Sequence, residues 1–152
     1  LEIYSQLDAK VDELDAQIKE CVRGIDPPCL SLPGIGELSA AVILSEFGDF
    51  GKFQNPSKML SFAGLEPGYF QSGQSEFTGH MVKHGSSQLR YAIMNCCLPL
   101  ITHEPVFAQY YAKKRAEGKP HRVALTHVAR KLLRVIYTMQ TKNIRYDPSL
   151  IR

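Results

Sequence analysis

At 152 residues, 44% of them hydrophobic, the chain is long enough for one ordinary globular core with a helical extension and too short for two full domains. No apolar run approaches the roughly 18 residues of a membrane span, and no basic stretch followed by an apolar core opens the chain, which argues against a membrane or secretory role and for a cytosolic one. The formal net charge of +3 conceals a division: residues 1–76 carry 5 Lys and Arg against 12 Asp and Glu, a balance of −7, whereas residues 77–152 carry 13 against 3, a balance of +10. The basic half calls for a polyanion or an acidic partner, the alternative being a face solvated by counterions.

In chain order, the first element is an arm. Tyr4, Leu7, Val11, Leu14, Ile18, Cys21 and Ile25 recur at alternating steps of three and four, the seam of a heptad, with Asp, Glu, Lys and Gln filling the other positions. So narrow a seam needs another helix, which the chain's own domain, an upstream helix or a second chain in a coiled coil would each satisfy. Asp26-Pro27-Pro28 ends the arm, because proline removes a donor and biases its predecessor out of helix. The chain begins at Leu1, already in helical periodicity, as a segment of a longer polypeptide would.

Leu30-Ser31-Leu32-Pro33-Gly34-Ile35-Gly36 followed by a helical run from Glu37 to Phe47 reads as a helix-hairpin-helix. Gly34 and Gly36 let backbone approach a ligand closely, and the amides opening the next helix supply unpaired donors at its positive end, a combination suited to nucleic-acid phosphate. The competing reading is a tight turn with Ile35 plugging the core. In the following helix Leu38, Ala41, Val42 and Leu44 or Ser45 share helical spacing. Asn55-Pro56 then supplies the cap and first residue of a short helix through Phe62 or Ala63, with Gly64 as its stop.

Residues 64–85 contain five glycines and a proline, together with Tyr69, Phe70, Phe77, Met81 and Val82, and are expected to form an anchored Gly-rich loop carrying function, with short strands near 68–82. His80 and His84 have the spacing of helical metal ligands, but glycines flank them and no cysteine pair completes a set, so no metal site is expected in the chain. Ser86 or Ser87 caps the next helix, which runs to about Thr102 with Pro99 kinking or ending it. His103 or Glu104 starts another, with Pro105 at its first position and Gly118 after its end. Pro120 opens a last helix to about Lys142, in which Val123, His127, Leu132 or Leu133, and Ile136 face one way while Arg122, Arg130, Lys131 and Arg134 offer charge. Cys21, Cys29, Cys96 and Cys97 form no CxxC pair and read as reduced structural thiols. The fold class is mainly α: a helix-hairpin-helix-containing helical domain over 30–145, a coiled-coil arm over 1–26 and a tail over 146–152.

The ordered series Leu32-Pro33-Gly34-Ile35-Gly36, Gly64-Leu65-Glu66-Pro67, Gln71-Ser72-Gly73, Gly79-His80-Met81-Val82-Lys83-His84-Gly85 and Leu89-Arg90 resembles the C-terminal transposase domain of the DEDD transposases of bacterial insertion sequences, a family that includes the Piv DNA invertase and the bridge-RNA-guided recombinases. The resemblance covers about residues 30–145 and departs from the family's Lys-x-Gly-Asn step at Ser86, which caps a helix as well as asparagine does. It implies that the arm ends a linker from an upstream RNase H-like domain, whose four acidic residues hold magnesium. It also implies that Ser72 is the nucleophile, and that DNA, an oligomer (dimer or tetramer) and, as in some relatives, a guide RNA are the partners of a cytoplasmic, nucleoid-associated recombinase.

Chemistry agrees with Ser72, since a serine attacking a phosphodiester must be exposed in a loop and activated by a base or metal. Beside glycine, a serine that merely closes a turn is the plain alternative. Ser75, Ser86 and Ser87 are rivals, the last two better explained as caps. Lys83 and Arg90 match the family's basic positions and would hold phosphate or stabilise charge at the reacting centre, and Gly34, Gly36, Gly73, Arg130 and Arg134 join them as candidate nucleic-acid contacts. Two other readings stay open: a non-catalytic helix-hairpin-helix module that binds DNA backbone, and a coiled-coil protein whose basic half binds an acidic partner.

Overall fold

The computed structural model describes residues 1–66, 69–72, 75–78 and 85–150, with backbone only for 69–72, 75–78 and 150. It is mainly α, as expected. Helices α1 (Glu2–Ile25), α2 (Glu37–Phe47) and α3 (Pro56–Phe62) precede a two-stranded antiparallel ladder of β1 (Tyr69–Ser72) and β2 (Ser75–Thr78). Helices α4 (Ser87–His103), α5 (Pro105–Ala116) and α6 (His121–Lys142) follow. Short 3-10 turns lie at Pro28–Ser31, Phe50–Lys52 and Pro148–Leu150.

Helix boundaries follow local chemistry. The Asn55 side chain accepts from the Lys58 amide at 3.1 Å, Pro56 occupies the first turn, and Gly64 leaves α3 with φ of 65°. Ser86 accepts from the Leu89 amide at 3.1 Å to open α4, and Glu104 opens α5. Pro99 sits inside α4 without ending it, so the helix forgoes one backbone hydrogen bond and continues to His103.

The core is built around α6, which packs on α4, α5 and α3. Its buried stripe is Ala124, Leu125, Val128, Ala129, Leu132, Leu133, Ile136 and Met139. Val123, expected inside, is 44% exposed, and His127 is only half-buried. The sequence stripe passed over Ala124, Leu125, Val128 and Ala129, which are buried, while Leu132, Leu133 and Ile136 are buried as expected. Helix α2 is apolar on two faces. Ala40, Ile43 and Phe47 point into the core, where Phe47 meets Phe50, Phe53 and Phe62 at centroid distances of 5.4–5.6 Å. Leu38, expected on its apolar face, is largely exposed, while Ala41, Leu44 and Ser45 line a groove against α1.

Along α1 the seam is progressively covered as far as Ile18, and Ile25 at its end is 67% exposed again. Tyr4 is 75% exposed and Ile18 39%, and the lower seam residues Leu14, Ile18, Cys21 and Ile25 share the groove with α2. The one fully buried side chain of the arm is Val22, which lies off the seam. The chain's own domain therefore partners the last turns of α1, and Tyr4, Leu7 and Val11 remain exposed. Asp26 ends the helix in the left-handed region with φ of 48°, its amide returning to the Val22 carbonyl at 2.9 Å, and its carboxylate pairs with Arg145. Just beyond, the Tyr146 amide donates to Ser31 Oγ at 2.8 Å, so the segment after α6 folds back onto the turn that follows α1. No helix among the described residues is long and apolar enough to cross a membrane.

Candidate functional site

The two ends of the segment that the sequence singles out meet at one place on the domain. Gly64 and Leu65 close α3, with the Leu65 amide donating to the Leu60 carbonyl at 2.9 Å, and Leu65 is fully buried. Arg130 of α6 donates from Nε to the Leu65 carbonyl at 2.5 Å, which fixes the outgoing backbone to the central helix. At the return, Gly85 has φ of 128°, and a Cβ there would stand 2.2 Å from the Phe62 carbonyl oxygen and 3.0 Å from the Gly64 amide nitrogen. Only glycine tolerates that backbone conformation and that contact together. Gly64 and Gly85 are thus side by side, although 21 positions apart.

Between these ends stands the β1–β2 ladder, in which Tyr69 pairs with Thr78, Phe70 with Phe77, Gln71 with Glu76, and Ser72 with Ser75. The register makes Ser72 and Ser75 the innermost pair of the ladder. Ser72 is therefore the last paired residue before the tip. Gly73 and Lys83 lie outside the described residues, as do Gly79, His80, Met81, Val82 and His84.

Arg90 follows Gly85 closely, on the first turns of α4. Its Nη1 is enclosed and has no hydrogen-bond partner among the described residues, an unusual condition for a guanidinium. Lys52 and Lys58 were missed by the sequence reading, because both lie in the acidic half. Lys52 rests over the rings of Phe53 and Phe62, 5.1 and 5.8 Å from their centroids, and with Lys58, Ser61 and Ser86 it lines an open concavity beside Gly85. Ser61 hydrogen-bonds Glu66, so the carboxylate nearest the hairpin base is already engaged.

Gly34 and Gly36 are elsewhere, and they serve different ends. Gly34, with φ of 97°, lies against the backbone of α4, where a Cβ would come within 3.0 Å of the Leu100 nitrogen and 3.1 Å of the Cys96 oxygen. Ile35 beside it is buried in the core, and the helix expected before the hairpin is only the 3-10 turn Pro28–Ser31. Gly36 is exposed and caps α2 without a side chain. The Glu37 carboxylate occupies that helix opening. Its own amide, then Arg23 at 2.9 Å, holds it below the usual carboxylate range.

The basic half converges on α5 and α6. Burial first, then the charges of Arg130, Lys114 and Lys119, pushes the His127 imidazolium below its ordinary value. Arg134 is exposed one turn beyond Arg130. Three of the four thiols are held protonated: burial pushes Cys29 up to about 11 and Cys97 up to about 12, and raises Cys96 as well. Among the described residues no group of three His, Cys, Asp or Glu side chains is placed to hold a metal ion.

The model of the IS116/IS110/IS902 transposase family matches residues 28–112, more than half of the chain. An uncharacterized 43.6 kDa protein of insertion element IS110 from Streptomyces coelicolor is 32% identical over 136 residues, covering 88% of this chain and 34% of that protein. The corresponding 44.8 kDa protein of IS116 from Streptomyces clavuligerus is 27% identical over 94% of this chain and 36% of its own length. The pilin gene-inverting protein of Moraxella bovis is 29% identical over 77% of this chain and 37% of its own. The chain spans about a third of the length of these relatives. The matched segment runs from the turn after α1, through the Ser72 hairpin and its pinned ends, into α5, and on that match the chain belongs to the IS116/IS110/IS902 family of transposases.

Proposed function

We propose that the chain is the DNA-handling portion of a transposase or site-specific recombinase, with Ser72 as its nucleophile. The observation that carries the reading is the family match over residues 28–112, which includes the whole hairpin excursion. Its support in the fold is Ser72's backbone position beside a hairpin tip whose two ends are pinned to the core.

In the proposed reaction Ser72 Oγ attacks a DNA phosphorus, its proton passes to a base, and the displaced deoxyribose oxygen leaves as a hydroxyl. A DNA hydroxyl later attacks the phosphoserine and releases Ser72. One phosphodiester is exchanged for another, so no nucleotide cofactor is consumed. Arg90, Lys83 and the Gly73 amide would hold phosphate oxygens, and Arg130 keeps the outgoing strand in place through the Leu65 carbonyl. Magnesium does not fit the donors described in this chain, so the proposal assigns it to acidic residues of an upstream domain and routes no step through it here. Assembly as a dimer or tetramer, and use of a guide RNA as in some relatives, belong to the same proposal. So does a coiled coil through the exposed seam of α1.

The test joins the chain to its upstream portion and incubates it, and a Ser72→Ala variant, with element DNA, magnesium and any guide RNA. A protein–DNA adduct that survives denaturation and vanishes in Ser72→Ala is the expected result. DNA binding without an adduct would replace this reading with a non-catalytic module that contacts DNA backbone.

A further inference from the structure

We propose that the slot between α5, α6 and the segment after α6 docks the phosphodiester backbone of a nucleic-acid strand, with Lys131 and Arg134 as its phosphate ligands. This rests on the nucleic-acid reading above and adds to it a further surface.

The slot has a volume of about 340 Å³, at the lower end of ordinary ligand sites. Tyr110 contributes one wall, Lys131 and Arg134 of α6 another, and Tyr146 and Asp147 close the third side. The third side is held before anything binds. The Ile144 amide returns to the Met139 carbonyl at 3.0 Å, the Tyr146 amide donates to Ser31 Oγ, and Arg145 pairs with Asp26. A preformed wall spares the ligand the entropy of ordering it.

Charge selects the occupant. Lys131 Nζ lies 4.9 Å from the Tyr110 ring centroid and 5.8 Å from that of Phe107, and burial pushes its ammonium below the ordinary value. It is partly dehydrated over aromatic faces, and among the described residues it has no carboxylate partner. Neither has Arg134. The carboxylate lining the slot, Asp147, already accepts from the Ser149 amide. An unpaired, partly desolvated cation beside a second free one is stabilised by an anion. The positive charge also continues beyond the slot: Lys119, Arg130 and Lys114, the last ion-paired with Glu117, lie near His127 one turn back along α6, and their net effect on it is that of positive charge. A single small anion fills only the slot, whereas a phosphodiester strand also meets this track.

The experiment measures binding of one labelled single strand, as DNA and as RNA of the same sequence, to the chain across a salt series. Lys131→Gln/Arg134→Gln is compared with Lys131→Arg and with Lys10→Gln on the distant arm. Each phosphate contact contributes a slope of about 0.7 in log affinity against log salt for a single strand, so the double variant is expected to lose about 1.4. Lys131→Arg and Lys10→Gln should keep the wild-type slope, and an unchanged melting temperature excludes unfolding. Preference for DNA or for RNA identifies the strand, and either supports the proposal. Binding whose slope is unchanged in the double variant overturns the slot while leaving the nucleic-acid reading intact. Wild-type chain that binds neither strand at low salt overturns both. Displacement of the strand by polyglutamate at equal charge, equally dependent on Lys131 and Arg134, would replace it with an acidic peptide.

Discussion

Helices α1 and α6 are nearly equal in length, 24 and 22 residues, and both alternate apolar and charged positions, yet α1 buries one side chain and α6 eight. The difference lies in what surrounds them. Helix α6 is enclosed by α3, α4 and α5, while among the described residues α1 packs chiefly on α2, along its later turns. Apolar periodicity tells that a helix has a face to cover; the neighbours decide how much of it contributes to stability.

Substitutions sharpen that contrast. The largest effect is expected at Leu132, fully buried in α6: Leu132→Ala should destabilise the chain by about 2–5 kcal/mol in chemical denaturation, whereas Leu7→Ala on the exposed seam should stay within ~0.5 kcal/mol. Equal losses at the two sites would mean that the upper arm is packed in solution. Val22→Ala, at the one buried position of α1, should fall between them at about 1.5 kcal/mol, given ~0.8 kcal/mol per buried methylene-sized group.

The smallest effect concerns His127, on the half-buried flank of α6. Because its folded value is depressed, the unfolded chain takes up the proton first as the pH falls. Stability should therefore be insensitive to this group above the unfolded value of about 6.5 and decline as the pH drops from there toward the lower folded value. His127→Gln should flatten that part of the profile, and an identical decline in the variant would assign it to other groups.

Much of the scaffold was legible in the sequence because caps and stops are local. Asn55-Pro56, Gly64, Ser86, Pro105 and the Asp26-Pro27-Pro28 stop each act within a turn, and each marks a boundary in the structure. What was not legible depends on distant segments. The contact of Gly34 with α4 spans more than sixty positions, so its turn chemistry alone did not reveal that its free side faces another helix. Arg130 reads as an exposed charge from helical spacing, but the Leu65 carbonyl it holds comes from α3. Lys52 and Lys58 were hidden by the acidic average of their half. The resemblance located Ser72; periodicity offered no reason to prefer it to Ser75, its partner in the ladder.

The contact of Gly85 with Phe62 and Gly64 makes the domain a clasp. What the clasp fixes is the gap between two backbone points, Gly64 and Gly85. Doubling the length of the insert would cost on the order of 0.6 kcal/mol in closure entropy, a small sum beside the burial around α6. A lineage, or an engineer, can therefore exchange the hairpin or change its reach without rebuilding the helices, provided the residue at the closing point remains glycine.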